Sequence, residues 1–271
     1  MAEMLTEIAP GVLVATSSYD LTTTTVVLSG GGGCLVIDPA VTVAELAGLS
    51  AGLAGRGLRP AVAWSTHPHW DHVLWSRELG DAPRYAAAAA VRAAQTARDA
   101  ILAQAAESAP GHDRLLIGRL IPLDAPAIPW HGPTAEVIVH DGHAPGHGAV
   151  FLPGTGVLVA GDMCSDVEIP LLDLDATDPL GAYRTGLRRL AAVAGVRQVV
   201  PGHGHVGDAA GFRRRLSMDA AYLDALAAGR PVRDPRLGGQ CPQWLRGTHE
   251  AQVRRYRRPP RGLSPPGGRP G

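Results

Sequence analysis

The chain has 271 residues, long enough to bury a substantial core, and it reads as a single domain over residues 1–256 followed by a tail at 257–271. Apolar residues make up 45% and aromatic residues only 4%, so the core must be built mainly from Ala, Val and Leu. Formal net charge is zero and all 25 basic residues are Arg: the balance favours neither nucleic acid nor an anionic membrane as partner, and the lack of Lys excludes Schiff-base catalysis and a phosphate-loop lysine.

Three widely spaced cysteines, Cys34, Cys164 and Cys241, do not resemble a disulfide framework and fit a reducing compartment. The acidic N-terminus lacks a basic and apolar leader, and no run of about 18 apolar residues occurs, so a soluble cytoplasmic protein is expected.

In chain order, residues 11–16, 23–29 and 33–38 are short β-favouring runs separated by turn residues, which predicts an antiparallel meander. Gly30 to Gly33 would form a hairpin loop; no Lys-Ser/Thr follows, as a phosphate cradle would need. The third strand ends in Asp38, a loop cap or a residue supporting a site at the sheet edge. Leu46, Leu49 and Leu53 mark an amphipathic helix over 43–56 that stops at Gly57, and residues 60–66 read as a buried strand.

That strand delivers His67-Pro68-His69-Trp70-Asp71-His72, three imidazoles and a carboxylate within six residues, with Val73-Leu74-Trp75 beginning an apolar helical pattern. Neutral imidazole nitrogen and carboxylate oxygen are the donors that bind zinc and its first-row neighbours, and loops at the carboxyl ends of strands leave such side chains free to converge. Trp70 would line the mouth of such a site or pack on the next helix.

The Ala-rich stretch 86–109 predicts a structural helix ended by Pro110. Residues 110–135, with His112, Trp130 and His131, read as loops around a short strand near Leu120, either plain surface or a place for substrate contacts. A strand at 136–140 precedes Asp141 to Gly148; a hairpin over 149–160 ends at Gly161-Asp162; a helix capped by Asp178-Pro179 follows. A strand at 198–200 leads to Pro201-Gly202-His203-Gly204-His205, and helices are expected at about 209–228 and 244–256. The Arg, Pro and Gly residues from Arg257 onward cannot build a core and read as disordered.

Strand ends thus offer His67, His69, Asp71, His72, His147, Asp162 and His203, more donors than one tetrahedral ion needs. With these motifs in this order, residues 11 to 207 resemble the metallo-β-lactamase fold superfamily: His-X-His-X-Asp-His at 67–72, Pro145-Gly146-His147, Gly161-Asp162 and Pro201-Gly202-His203. The resemblance implies an αββα sandwich of two mixed sheets flanked by helices. It implies one metal on His67, His69 and His147, a second on Asp71, His72 and His203, Asp162 as bridge, and Asp38 in support. His143 and His205 remain extra imidazoles, supporting or structural, and Cys164 a thiolate ligand or a small buried hydrophobe.

The expected activity is hydrolysis of a small ester, thioester, lactone or lactam by a hydroxide between two zinc ions, with iron or manganese as other metals and Asp71 also steadying the nucleophile. The alternatives are a mononuclear iron, persulfide-dioxygenase-like oxidoreductase on His67, His147 and Asp162, and a non-catalytic metal-binding protein. The partner is a small-molecule substrate; the oligomeric state is open.

Overall fold

Two sheets face each other across a layer of Val, Leu, Ile and one Trp, and each carries helices on its outer face. The computed structural model describes residues 5–257. The first sheet runs in strand order from β1 to β7. Its antiparallel half is β1 (Thr6–Ala9), β2 (Val12–Thr16), β3 (Thr23–Leu28) and β4 (Gly33–Ile37). Its parallel half is β5 (Arg59–Trp64), β6 (Arg84–Ala87) and β7 (Ile121–Leu123), reached from β4 through α1 (Val43–Ala54). The second sheet contains β8 (Glu136–His140), β9 (His147–Leu152) and β10 (Val157–Gly161), all antiparallel, then β11 (Gln198–Pro201) parallel to β10 and β12 (Gly207–Asp208) at its edge.

The two-residue period of the strands sorts side chains between layers. In β4, Leu35 and Ile37 enter the space between the sheets while Cys34 and Val36 pack under α1 with Leu46, Leu49 and Leu53. In β10, Val157 and Val159 enter that same space while Leu158 and Ala160 pack under α4 (Pro179–Ala191) and α5 (Ala209–Ala227). This is the expected αββα sandwich of two mixed sheets. Helix starts follow their caps: Thr42 and Glu45 form a capping box on α1, and Asp178 and Asp208 accept from the third residues of α4 and α5.

Trp64 locks the sheets together: it is fully buried and its indole N–H donates to the Gly148 carbonyl at 2.8 Å. The ring lies where a Cβ on residue 148 would go, which requires Gly there. At the site end of the sandwich, Thr23 N–H donates to the Gly202 carbonyl at 2.7 Å, so the first sheet also holds the turn after β11.

The structure departs from the sequence expectation in four elements. No helix follows the histidine cluster: Trp70–His72 form one 3-10 turn, and Val73 and Leu74 pack towards α3 (Arg98–Ser108) while Trp75 packs towards α1, two directions that one helical face cannot serve. The Ala-rich stretch begins as strand β6, where pairing with β5 and β7 overrides helix propensity, and then divides at Ala97 into α2 (Ala88–Thr96) and α3. Strands β1 and β12 carry too few apolar residues to announce themselves. After α5, Arg236 turns inward and donates to Asp219 at 2.7 Å and to the carbonyls of Ser165 and Glu168, tying the segment before α6 (Gln243–Tyr256) to the loop after β10. The segment expected to be disordered lies, beyond Arg257, outside the described residues. No helix among the described residues is long and apolar enough to cross a membrane.

Candidate metal centre

The site forms where β4, β5, β10 and β11 end together. Asp38, just past β4, has a left-handed backbone (φ 48°) that turns its carboxylate across to the neighbouring strand. Its oxygens accept from Thr66 N–H at 2.8 Å and from the Thr66 hydroxyl at 2.6 Å, and Oδ2 lies 3.0 Å from His72 Nδ1. The loop after β5 is therefore anchored before any donor is placed.

Two donor groups meet. In the first, His69 Nδ1 lies 3.1 Å from His67 Nε2 and 3.0 Å from His143 Nε2, and Asp162 Oδ2 is 3.4 Å from both His67 and His143 Nε2. In the second, His203 Nε2 lies 3.4 Å from His72 Nε2 and 3.2 Å from Asp71 Oδ2. Within each of the groups His67, His69, His143, Asp162 and Asp71, His72, His203, all the donor atoms fall within 4.8 Å of one another. Asp162 belongs to both neighbourhoods, because its Oδ1 is 3.3 Å from His72 Nε2 while its Oδ2 faces the first group.

The opposite ring nitrogens are held in place. His67 Nδ1 is 3.0 Å from the Thr66 hydroxyl, His143 Nδ1 2.9 Å from the Leu171 carbonyl, and His203 Nδ1 3.0 Å from the Asp20 carbonyl. Such outer contacts fix the tautomer and aim the donor lone pair. His67, His72, His143, His203, Asp71 and Asp162 are buried, and His69 stands at the open mouth.

Asp162 Oδ1 is buried without a hydrogen-bond partner although four imidazoles crowd around its carboxylate. An orphaned buried carboxylate oxygen is costly, and a cation between the donors would satisfy it. Three imidazole nitrogens plus carboxylate on one side, and two imidazoles plus carboxylates on the other, suit zinc, iron or manganese.

One sequence-derived position lies apart from the rest. His147 is not among the converging donor atoms, whereas His143 is. His147 is the first residue of β9, paired in register with His140, and its Nε2 accepts from the backbone N–H of Asp162 at 3.2 Å. Its ring stacks on His140 with centroids 4.6 Å apart. It props the backbone of Asp162 from behind. The missed signal was positional: the other donors come from loops beyond the carboxyl ends of strands, and His143, three residues after β8 ends, sits in such a loop, whereas a strand residue has its direction fixed by the ladder.

Of the other singled-out residues, His205 is exposed and pairs with Asp166 at 2.9 Å, and Cys164 is a buried core residue whose thiol burial pushes up in pKa, away from a thiolate. His112 and His131 join no donor group among the described residues. Glu168 escaped notice, having no periodicity or motif to mark it: its Oε1 lies 3.8 Å from His203 Nδ1, and burial pushes its carboxyl up to about 8.

Electrostatics divide the donors. Burial, then the neighbouring His72 and His69, hold His67 well below the usual histidine range, so its lone pair is free. Burial opposes charge on His72, yet Asp162, Asp71 and Asp38 outweigh it and raise it to about 9. Burial would raise Asp71 too, but His72 and His203 hold it below the usual carboxylate range.

Behind the site, burial and then Arg189 hold His140 down at about 4, against about 6.5 in an unfolded chain. A depressed histidine stabilises the fold fully above about pH 6.5, and that contribution drains away as pH falls towards 4. We expect the metal-free protein to lose about 1.4 kcal/mol per pH unit through this one group in that window, and His140→Phe to flatten the slope of melting temperature against pH accordingly.

A second expectation concerns Gly202. Its backbone faces Asp162 so closely that an added Cβ would collide with Oδ1. Gly202→Ala should therefore push the carboxylate out of line and weaken metal binding about tenfold or more with the fold retained, as read by chelator competition and circular dichroism.

The sequence profile described as the metallo-beta-lactamase superfamily matches residues 19–203. No curated protein matches the chain significantly in sequence. Among solved structures, a beta-lactamase domain protein from Burkholderia ambifaria is 21% identical with a TM-score of 0.66, covering 84% of this chain and 76% of that one. The metallo-beta-lactamase family protein TTHA1429 from Thermus thermophilus is 23% identical with a TM-score of 0.64, covering 91% and 92%. TTHA1623, solved in a di-iron-bound form, is 27% identical with a TM-score of 0.59, covering 74% and 97%. With the profile spanning more than half of its length, the chain belongs to the metallo-beta-lactamase superfamily.

Proposed function

We propose that this protein is a metal-dependent hydrolase holding two metal ions, zinc by preference, that cleaves a small ester, thioester, lactone or lactam. The observation that carries this reading is the position of Asp162 between two donor groups, with Oδ2 near His67 and His143 of the first and its two oxygens near His72 and His203 of the second. His67, His69 and His143 would hold one ion and Asp71, His72 and His203 the other. When bound, such a pair would lower the pKa of a water and polarise the scissile oxygen.

The chain's own residues do the rest. Asp162 offsets charge on both sides while its backbone rests on His147. Asp71, 3.2 Å from His203 Nε2, keeps an ionised carboxylate in the second group, where it can accept a hydrogen bond from the attacking water and orient it. Asp38, Thr66 and the carbonyls of Leu171 and Asp20 hold the imidazoles at fixed angles, so little reorganisation is needed during reaction.

Iron at the same residues is the second reading, favoured by the similarity to a neighbour solved with two irons. Elemental analysis of protein purified without added metal, followed by ester, thioester, lactone and lactam hydrolysis before and after chelation, tests both. About two zinc ions per chain and chelator-sensitive hydrolysis support the first. Iron with oxygen-consuming activity selects a redox enzyme, and folded protein that takes up no metal eliminates both.

A further inference from the structure

Beside the donor groups opens a cavity of about 1090 Å³, large enough for a drug-sized ligand. One wall is the junction of α2 and α3, where Ala93, Ala97, Ala100 and Ile101 face the opening; the opposite wall is Leu171, Leu172 and Leu174 on the segment after β10. Trp70, held edge-on against Tyr19 with ring centroids 5.4 Å apart, and Trp244 of α6 close two further sides. The Pro-rich segment 110–135, a candidate for substrate contacts on sequence grounds, supplies none of the lining, and the Ala-rich helices expected to be purely structural supply a whole wall.

The lining's charges are one-sided. Besides the donor carboxylates, Asp20, Asp173 and Asp175 face the cavity, Glu168 adds a carboxyl that burial keeps mainly protonated at neutral pH, and among the described residues no Arg lines it; the chain has no Lys at all. A carboxylate or phosphate carried away from the reacting bond would lose water on entering and, beyond the donor groups, meet like charge, hydrocarbon and a few neutral polar groups such as Gln104 and Thr248, with no Arg or Lys to offset that loss. An alkyl chain would gain from the same walls.

Resting on the hydrolase reading, we propose that the pocket selects substrates whose acyl group is uncharged and apolar, and rejects those bearing an anion at the end remote from the scissile bond. Each methylene that the Ala and Leu walls bury is expected to raise kcat/KM about threefold to fourfold until the cavity is full.

The test is a series of thioesters from acetyl through butyryl and hexanoyl to octanoyl, each long member paired with its ω-carboxylate counterpart, on the metal-loaded full chain. We expect the rise just stated, with each anionic partner at least about tenfold poorer than its neutral twin. Ala100→Arg, at an exposed position on the Ala wall, should narrow that gap by about tenfold. A flat series, or anionic substrates equal to neutral ones, overturns the proposal.

A binding arm separates this from failure of the hydrolase reading. Trp70 and Trp244 report occupancy by fluorescence, titrated with N-octylacetamide and with the same amide carrying an ω-carboxylate. Tighter binding of the neutral amide without turnover of any thioester would retain the pocket's selectivity and discard the chemistry. Equal or reversed binding would discard the selectivity itself.

Discussion

Replacing Asp162 by Asn is expected to reduce bound metal from about two ions per chain to one or none, and to cut hydrolysis about a thousandfold, with the secondary structure unchanged. The amide has the shape of the carboxylate but not its charge, so it cannot offset two cations or present two acceptor oxygens. The pocket around it is full: a Cβ on Gly202 would already touch Oδ1, which leaves no room for a neighbouring carboxylate to substitute. A thousandfold loss corresponds to about 4 kcal/mol of transition-state stabilisation, the scale expected when one of two cooperating ions is removed. The sandwich does not depend on this side chain's charge, because its cores are built from Leu35, Ile37, Trp64, Val159 and their neighbours. Elemental analysis, kcat/KM and circular dichroism on one preparation decide the matter. An Asn variant that keeps two metals and full activity would remove Asp162 from the bridging role and, with it, the ground for a dinuclear centre.

Much of this architecture was legible because the strands are short and carry strict alternation or unbroken Val and Leu runs. Leu35 and Ile37 against Cys34 and Val36 is such a case, as are the Asp178 and Asp208 caps. Legibility failed where tertiary contacts outvoted local preference. Arg84–Ala87 has a helix-forming composition but lies between two strands that need a partner, and Val73 to Trp75 is apolar because it bridges two clusters, not because it coils. In the site, residues adjacent in sequence, such as His67 to His72, announced themselves by density. Glu168 could not, since only the folding of the loop after β10 onto Arg236 carries it towards His203. The pocket walls were equally silent: an Ala on a cavity wall and an Ala in a plain helix look alike until the break at Ala97 is seen.

Placing His143 rather than His147 on the first metal, as proposed, makes opposite predictions for two alanine variants four residues apart. His143→Ala removes a donor nitrogen that lies 3.0 Å from His69 Nδ1 and 3.4 Å from Asp162 Oδ2, while its only outer contact is the Leu171 carbonyl. It should lose the first metal, taking content to about one ion per chain and activity down about a hundredfold or more, with little change in the melting temperature of the metal-free protein. His147→Ala should do the reverse. Its ring is fully buried between His140 and His67, so truncation opens a cavity and strips the Asp162 N–H of its acceptor. Those two losses together amount to about 3 kcal/mol or more, read as a markedly lower melting temperature in chelator. Metal content should stay near two ions per chain, because no donor atom has been removed. The melting curve and the metal count must therefore move separately: a His147→Ala protein of normal stability but halved metal content would return that residue to the metal and displace His143 from it.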